Sequence, residues 1–223
     1  MTGRPAPVVL PPALRGGLGL MAALAALLVA LLGIRYADAG GPGAVDVRVR
    51  AVVDGVGPSW RYVALALDSS GEPVGAATLV VAVMTGCLLR RRLRAAVFVV
   101  AGVGIAVGTT TLLKHLVGRT IHGGHLSYPS GHTAFATALA LAVAMLATRR
   151  RGRDGLDPGR TAGTVLVLAA ALAAGAAMGW AQVVLDAHYP TDVLGGCCTA
   201  LAAVPATAWL VDRAADVGRR EHR

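Results

Sequence analysis

The hydrophobic positions of this chain fall into six long runs without a charged residue, separated by short polar connections. Each run contains 16 to 25 residues, and the runs are 16–34, 73–89, 95–113, 133–148, 161–185 and 193–211. A helix needs roughly 20 apolar residues to cross about 30 Å of hydrocarbon. The pattern therefore predicts an all-α fold, a bundle of six transmembrane helices.

The longest connection, residues 35–72, is shorter than the roughly 50 residues of a small independent domain. Within it, residues 45–54 alternate between apolar and polar side chains, and Trp60 and Tyr62 follow. Aromatic residues are frequent at the membrane surface, so we expect short amphipathic interfacial segments on the outer side. The chain then divides into three parts: a disordered cytoplasmic tail at 1–15, a six-span membrane domain at 16–211 and a basic cytoplasmic tail at 212–223.

Composition and charge add an orientation to this fold. Hydrophobic residues make up 55% of the chain and charged residues 15%, which does not fit a water-exposed surface. Of the 21 basic residues behind the net charge of +9, fifteen lie on one side of the expected membrane and six on the other. The side rich in arginine is expected to be cytoplasmic. We therefore predict a plasma-membrane protein with both termini in the cytoplasm, and no nucleic-acid partner.

The polar groups that are able to do chemistry lie in two connections on the predicted outer side. The first, 114–132, begins with the one lysine of the chain and ends in Pro-Ser-Gly-His, and the second is 186–192. Five of the six histidines are in these two stretches: His115, His122, His125, His132 and His188.

The Pro-Ser-Gly-His sequence stands directly before the fourth apolar run. Ser130 can cap the helix, and Gly131 lets an anion approach the backbone. The positive end of the helix dipole favours a phosphate there, with His132 beside it on the first turn. Taken alone, the same sequence also fits a capped span with an interfacial histidine.

His188 and Asp192 are four residues apart at the start of the sixth run. In a helical turn this spacing places both side chains on one face. The carboxylate can then accept the Nδ1–H of the imidazole and leave Nε2 as a nucleophile or base. A purely structural His–Asp pair would have the same spacing.

With these residues in this order, the sequence resembles the type 2 phosphatidic acid phosphatase superfamily of six-span lipid phosphatases. The family pattern is Lys, six residues, Arg-Pro; later Pro-Ser-Gly-His; and later Ser-Arg, five residues, His, three residues, Asp. The chain has the second block complete at 129–132 and ends the third block with His188 and Asp192. The resemblance extends over about residues 16–211.

The resemblance implies an activity and a set of catalytic residues. His188 is the implied nucleophile, Asp192 orients it, and His132 is the implied general acid for the leaving alcohol. The implied reaction is hydrolysis of a lipid phosphate or polyprenyl (di)phosphate at the outer membrane face. It proceeds through phosphohistidine without a metal or another cofactor. Phosphatidic acid, phosphatidylglycerol phosphate, a polyprenyl phosphate and a phosphosugar lipid all fit, and no oligomeric state is predicted.

The phosphate-binding positions depart from the family pattern. Ile121 and His122 stand where the family has Arg-Pro, and Ala181 and Gln182 replace Ser-Arg. We expect Arg119 to substitute for one missing arginine and Gln182 to donate a neutral hydrogen bond, which is weaker than a charge-assisted one. The expected phosphate ligands are, in chain order, Lys114, Arg119, Ser130, Gly131 and Gln182.

Three alternatives accompany this interpretation. The departures would also suit a catalytically degenerate member that binds lipid or has a structural role. An intramembrane serine protease would use Ser130 and His188 as a dyad. A metal site would use His115, His122, His125 and His132, although no carboxylate or cysteine accompanies them with the usual ligand spacing.

The charge asymmetry predicts the result of a topology experiment. A reporter fused at Arg151 should behave as cytoplasmic and one at Gly123 as external, because Arg and Lys are retained on the cytoplasmic side. Alkaline phosphatase and green fluorescent protein fusions at both positions measure this. The opposite labelling would place the candidate residues inside the cell.

Overall fold

The computed structural model of the protein describes residues 8–151 and 159–221. These residues form eight helices and one short hairpin. In chain order the elements are α1 (Pro12–Arg35), α2 (Ala44–Val53), α3 (Pro58–Gly71), α4 (Pro73–Leu89), α5 (Leu93–Val117), β1 (Thr120–Ile121), β2 (His125–Leu126), α6 (Gly131–Arg151), α7 (Gly159–Val184) and α8 (Pro190–Glu221). The two strands pair antiparallel, with Ile121 opposite His125.

Five of these helices, α1, α5, α6, α7 and α8, are long and apolar enough to cross a membrane. Helices α3 and α4 pass the same test only as a pair bent by 64°, which gives six spans when the pair counts as one. The prediction of an all-α, multi-pass bundle with short additional segments is thus confirmed.

The second predicted span, 73–89, is one half of this bent pair. It coincides with α4, whose 17 residues reach only about 26 Å along the helix axis. The bend before it lies at Glu72, which has extended backbone angles. Because a residue that precedes proline is disfavoured in the helical conformation, Pro73 ends α3 and starts α4 in a new direction.

The segment 45–54, which alternates like a strand, forms the helix α2. The carboxylate of Asp46 accepts the N–H of Gly43 at 2.8 Å and so caps the first turn. Helix α2 contacts the start of α8, and α3 packs against α7. Both short helices lie at the end of the bundle where α5 and α7 end and α6 and α8 begin, which we call the site end.

The tails are more ordered than predicted over the described residues. Val9 and Leu10 are buried, and their N–H groups donate to the Asp212 carboxylate at 2.7 and 2.8 Å. This anchors the chain before α1, so the expected disorder of 1–15 does not hold for residues 8–15.

Helix α8 likewise continues to Glu221, ten residues past the predicted boundary at 211. Residues 1–7 and 222–223 of the predicted tails lie outside the described residues, as does most of the predicted cytoplasmic loop at 149–160.

Helices α6 and α8 approach each other closely at the site end. The Ser130 N–H donates to the backbone carbonyl of Asp192 at 2.9 Å. A Cβ atom on Gly196 would overlap the carbonyl oxygen of Ser130. The missing side chain at Gly196 therefore lets the N-termini of the two helices meet.

Candidate active site

Three helix ends bring the candidate residues to one place. Lys114 lies in the last turn of α5, Ser130 and His132 lie at the start of α6, and His188 and Asp192 flank the start of α8. The blocks recognised in the sequence therefore converge at the site end.

His188 and Asp192 are adjacent, as predicted, although His188 lies two residues before α8 rather than in its first turn. The Nδ1 atom of His188 is 3.7 Å from Oδ2 of Asp192, an electrostatic contact that is longer than a hydrogen bond. The same Oδ2 accepts the N–H of Tyr189 at 3.1 Å. The carboxylate thus caps α8 and faces the imidazole.

The surroundings of His188 favour the neutral imidazole. Its side chain is 9% exposed, and this burial lowers the pKa of His188 from its ordinary value. The positive charge of Lys114 and the nearby His132 lower the pKa further, while the Asp192 carboxylate opposes the shift. A neutral, buried imidazole with a carboxylate on its Nδ1 side is suited to nucleophilic attack through Nε2.

Arg119 occupies a different position from the one predicted. Its side chain is fully buried, and Nη1 donates to Oδ1 of Asp192 at 2.6 Å and to Oγ1 of Thr191 at 2.7 Å. Its Nη2 donates to Oδ2 of Asp46 at 2.6 Å. The expectation that Arg119 binds phosphate is at odds with this position, because its buried guanidinium is already paired with two buried carboxylates.

Asp46 is a site residue that the sequence analysis missed. It is fully buried and accepts both the N–H and the hydroxyl of Thr191, at 2.9 and 2.8 Å. Burial alone would raise the pKa of Asp46, but the hydrogen bonds from Gly43, Thr191 and Arg119 lower it on balance. The group therefore stays ionised. No local pattern links residue 46 to residue 191.

His132 stands beside two carboxylates of α3 and its C-terminal end. Its Nε2 atom is 3.5 Å from Oδ1 of Asp68 and 3.5 Å from Oε1 of Glu72. A Cβ on Gly71 would overlap the His132 ring, so the end of α3 covers this face of the imidazole. The sequence analysis did not single out Asp68 or Glu72, because nothing in the spacing of α3 relates it to the start of α6.

Gln182 is hydrogen-bonded to one of these carboxylates, that of Asp68. It is 1% exposed, and its Nε2 donates to Oδ1 of Asp68 at 2.6 Å. Gln182, which replaces a family arginine, is therefore already hydrogen-bonded to a negative group.

The start of α6 has the capped geometry that was predicted. Oγ of Ser130 accepts the N–H of Thr133 at 3.4 Å and its hydroxyl at 3.1 Å. The first N–H groups of a helix, here those of Gly131 and His132, have no acceptor within the helix and favour an anion. In both bonds Oγ of Ser130 is the acceptor, and among the described residues no hydrogen bond joins it to His188, so the arrangement does not support a Ser130–His188 protease dyad.

Lys114 is half-buried and lies close enough to His188 to affect its pKa. Over residues 8–151 and 159–221, its ammonium group has no ion-pair partner. Its charge therefore remains available for an anionic ligand.

Among the described residues, one group of side chains is a candidate metal site. Donor atoms of Asp68, Glu72 and His132 lie within 4.8 Å of one another. Carboxylate and imidazole ligands together suit several divalent cations. Among the residues that the structure describes, the alternative cluster of His115, His122, His125 and His132 does not form, and His122 instead bonds to the Asp186 carbonyl at 2.7 Å.

The chain is similar to known proteins in sequence and in fold. Residues 119–216 match the PAP2 superfamily, which confirms the resemblance recognised in the sequence. No curated protein matches the chain.

The structure is also similar to the crystal structure of a transmembrane PAP2 type phosphatidylglycerolphosphate phosphatase from Bacillus subtilis. The TM-score is 0.62 at 18% sequence identity, over 85% of this chain and 93% of that chain. At this identity the likeness establishes a common fold.

The lowered pKa of His188 leads to a prediction about its reactivity. Diethyl pyrocarbonate modifies neutral imidazole, so modification of His188 should rise with a midpoint below pH ~6.5, the ordinary value for histidine. Asp192→Asn should move the midpoint lower still, because the carboxylate opposes the shift. Mass spectrometry of the modified peptides measures both midpoints.

The exposed His125 is the internal control, and its reaction rate should be the same in the wild type and in Asp192→Asn. A His188 midpoint at or above the ordinary value would contradict the buried, neutral imidazole.

Proposed function

We propose that this protein is an integral membrane phosphatase. Its substrate is a lipid phosphate or polyprenyl (di)phosphate at the outer membrane face, and its intermediate is a phosphohistidine at His188. The observation that carries the proposal is the neutral, buried imidazole of His188 beside Asp192, with Lys114 and the capped start of α6 close by. The superfamily of residues 119–216 and the multi-pass fold support a lipid phosphate as the substrate.

In the first step, the phosphate lies against the N-terminus of α6 and the ammonium group of Lys114. Nε2 of His188 attacks phosphorus, and the bond from phosphorus to the leaving oxygen breaks. His132, protonated, gives its proton to that oxygen, so the lipid leaves as an alcohol. Asp192 on the Nδ1 side stabilises the positive charge that develops on the His188 ring.

In the second step, water attacks phosphorus of the phosphohistidine. His132, now neutral, accepts a proton from the water as the bond from phosphorus to Nε2 breaks. Inorganic phosphate leaves, and both histidines return to their first protonation states. The reaction depends mainly on the position of the two histidines relative to the phosphate and on the positive charge around it. Both are typical of phosphoryl transfer.

A panel of lipids tests the proposal. Purified wild type should release phosphate from at least one of phosphatidic acid, phosphatidylglycerol phosphate, undecaprenyl phosphate and undecaprenyl diphosphate, and orthovanadate should inhibit. His188→Ala should lose all turnover, because the variant lacks the nucleophile of the proposed mechanism. The matched control, His125→Ala, changes an exposed histidine of the hairpin and should keep wild-type turnover.

The role of His132 is tested in the same assay. His132→Ala should lose lipid turnover but still form an acid-labile phosphoenzyme from p-nitrophenyl phosphate, whose leaving group needs no proton. Full lipid turnover in His188→Ala would end the phosphohistidine mechanism.

A second candidate function is supported by the contact between Gln182 and Asp68. Gln182 stands where the family has an arginine and is paired with a carboxylate, so this part of the site lacks a positive charge. A site without that charge suits a member that binds lipid phosphates without hydrolysing them. In that case the panel would give no turnover above that of His188→Ala, while orthovanadate would still bind.

The proposed mechanism uses no metal, and chelation tests this. EDTA should leave kcat unchanged, because Lys114 and the helix N-terminus supply the positive environment. Phosphate release after EDTA treatment and dialysis measures the effect. A loss that Mg²⁺ restores in the wild type, and does not restore in Asp68→Asn with Glu72→Gln, would instead identify a metal held by Asp68, Glu72 and His132.

A further inference from the structure

We propose that Arg119 is a positioning residue, held by Asp46 of α2, that fixes the Asp192 carboxylate against His188. Helix α2, which the sequence marks only as an interfacial segment, thereby becomes part of the catalytic unit. The inference rests on the proposed function, since the reaction at His188 is what the positioning serves.

The two oxygens of Asp192 have separate partners. Oδ1 accepts from Nη1 of Arg119 at 2.6 Å, and Oδ2 accepts from the Tyr189 N–H at 3.1 Å while it faces His188. Rotation of the carboxylate about its χ2 angle would break both bonds. The contact with Arg119 therefore keeps Oδ2 directed at the imidazole.

Arg119 is itself held in one orientation by Asp46. Oδ2 of Asp46 accepts from Nη2 of Arg119 at 2.6 Å and from the Gly43 N–H at 2.8 Å. Oδ1 of Asp46 accepts from the N–H and hydroxyl of Thr191, the residue directly before Asp192. Asp46 thus binds both the guanidinium and the first turn of α8.

Two tyrosine rings enclose the guanidinium plane. The guanidinium carbon of Arg119 is 3.9 Å from the ring centre of Tyr36 and 4.5 Å from that of Tyr189. A planar guanidinium stacks on aromatic rings, and its two terminal nitrogens reach two carboxylates at once. A lysine ammonium cannot do this with the same geometry.

The charges of the cluster explain why two carboxylates are needed. Arg119 alone would neutralise Asp192. With Asp46 present, the three groups carry one net negative charge. Asp192 then keeps the ability to stabilise positive charge on the His188 ring during phosphoryl transfer.

Arg119→Lys tests the positioning role. It should lower kcat by roughly 10–100-fold, the usual effect of losing a group that orients a functional residue. KM and the inhibition constant of orthovanadate should change less than about threefold, because Arg119 does not touch the anion. Lys114→Ala, in contrast, should weaken orthovanadate inhibition strongly.

Arg35→Lys is the matched control. Arg35 also lies over the Tyr36 ring, at 5.3 Å, but it is exposed, so kcat should not change. Asp46→Asn should lower kcat in the same direction as Arg119→Lys, with the Tm of each variant recorded to show that it is folded.

A double-mutant cycle separates positioning from a general structural effect. In the Asp192→Asn background, Arg119→Lys should reduce kcat by less than about threefold further, since residues that act as a unit are not additive. Fully multiplicative effects would overturn the inference. So would weakened orthovanadate inhibition with unchanged kcat, or a lowered Tm with unchanged kcat per folded molecule.

Reactivity of His188 separates this inference from the proposed function. If the wild type hydrolyses no lipid phosphate, the proposed function fails, but diethyl pyrocarbonate still reports on the imidazole. Arg119→Lys and Asp46→Asn should both lower the pH midpoint of His188 modification, because a displaced Asp192 carboxylate stabilises the protonated imidazole less well. Folded variants with unchanged midpoints would overturn the positioning role whether or not the wild type is active.

Discussion

The carboxylate of Asp192 is the group on which the site end of this protein depends. The backbone carbonyl of Asp192 accepts the N–H of Ser130, directly before α6. Its carboxylate accepts from Arg119 and from the N–H of Tyr189 at the start of α8, and it faces His188. A buried carboxylate is costly unless it is paired and hydrogen-bonded. Here both oxygens have donors, so the cost is offset, and the bonds of Asp192 join three segments of the chain, at Arg119, at Ser130 and at the start of α8.

The apolar helices supply the frame that makes this convergence possible. Helices α5, α6 and α8 pack through small residues, and Gly196 permits direct contact between the α8 backbone and Ser130. Gly71 does the same between the end of α3 and His132. Larger side chains at either position would separate the helix ends, and the polar groups would no longer reach one another.

The sequence predicts what is encoded locally and misses what depends on packing. The apolar runs, the cap at Ser130 and the proximity of His188 to Asp192 each follow from spacing within one segment. Asp46 acts on Thr191, 145 residues later, and no spacing rule links them. Arg119 was assigned to phosphate because only its distance from Lys114 was visible, whereas its direction is decided by two buried carboxylates that the fold brings together.

The distribution of charge around His132 bears on the kind of leaving group that the proposed mechanism allows. Lys114 and the N-terminus of α6 supply positive charge to the site, while the carboxylates of Asp68 and Glu72 lie 3.5 Å from Nε2 of His132. If His132 protonates the leaving oxygen, the leaving group departs toward these carboxylates. An alcohol can donate hydrogen bonds to them, but the phosphate monoester released from a diphosphate would be repelled. On the proposed mechanism, these two carboxylates therefore favour a monophosphate ester over a diphosphate as the substrate.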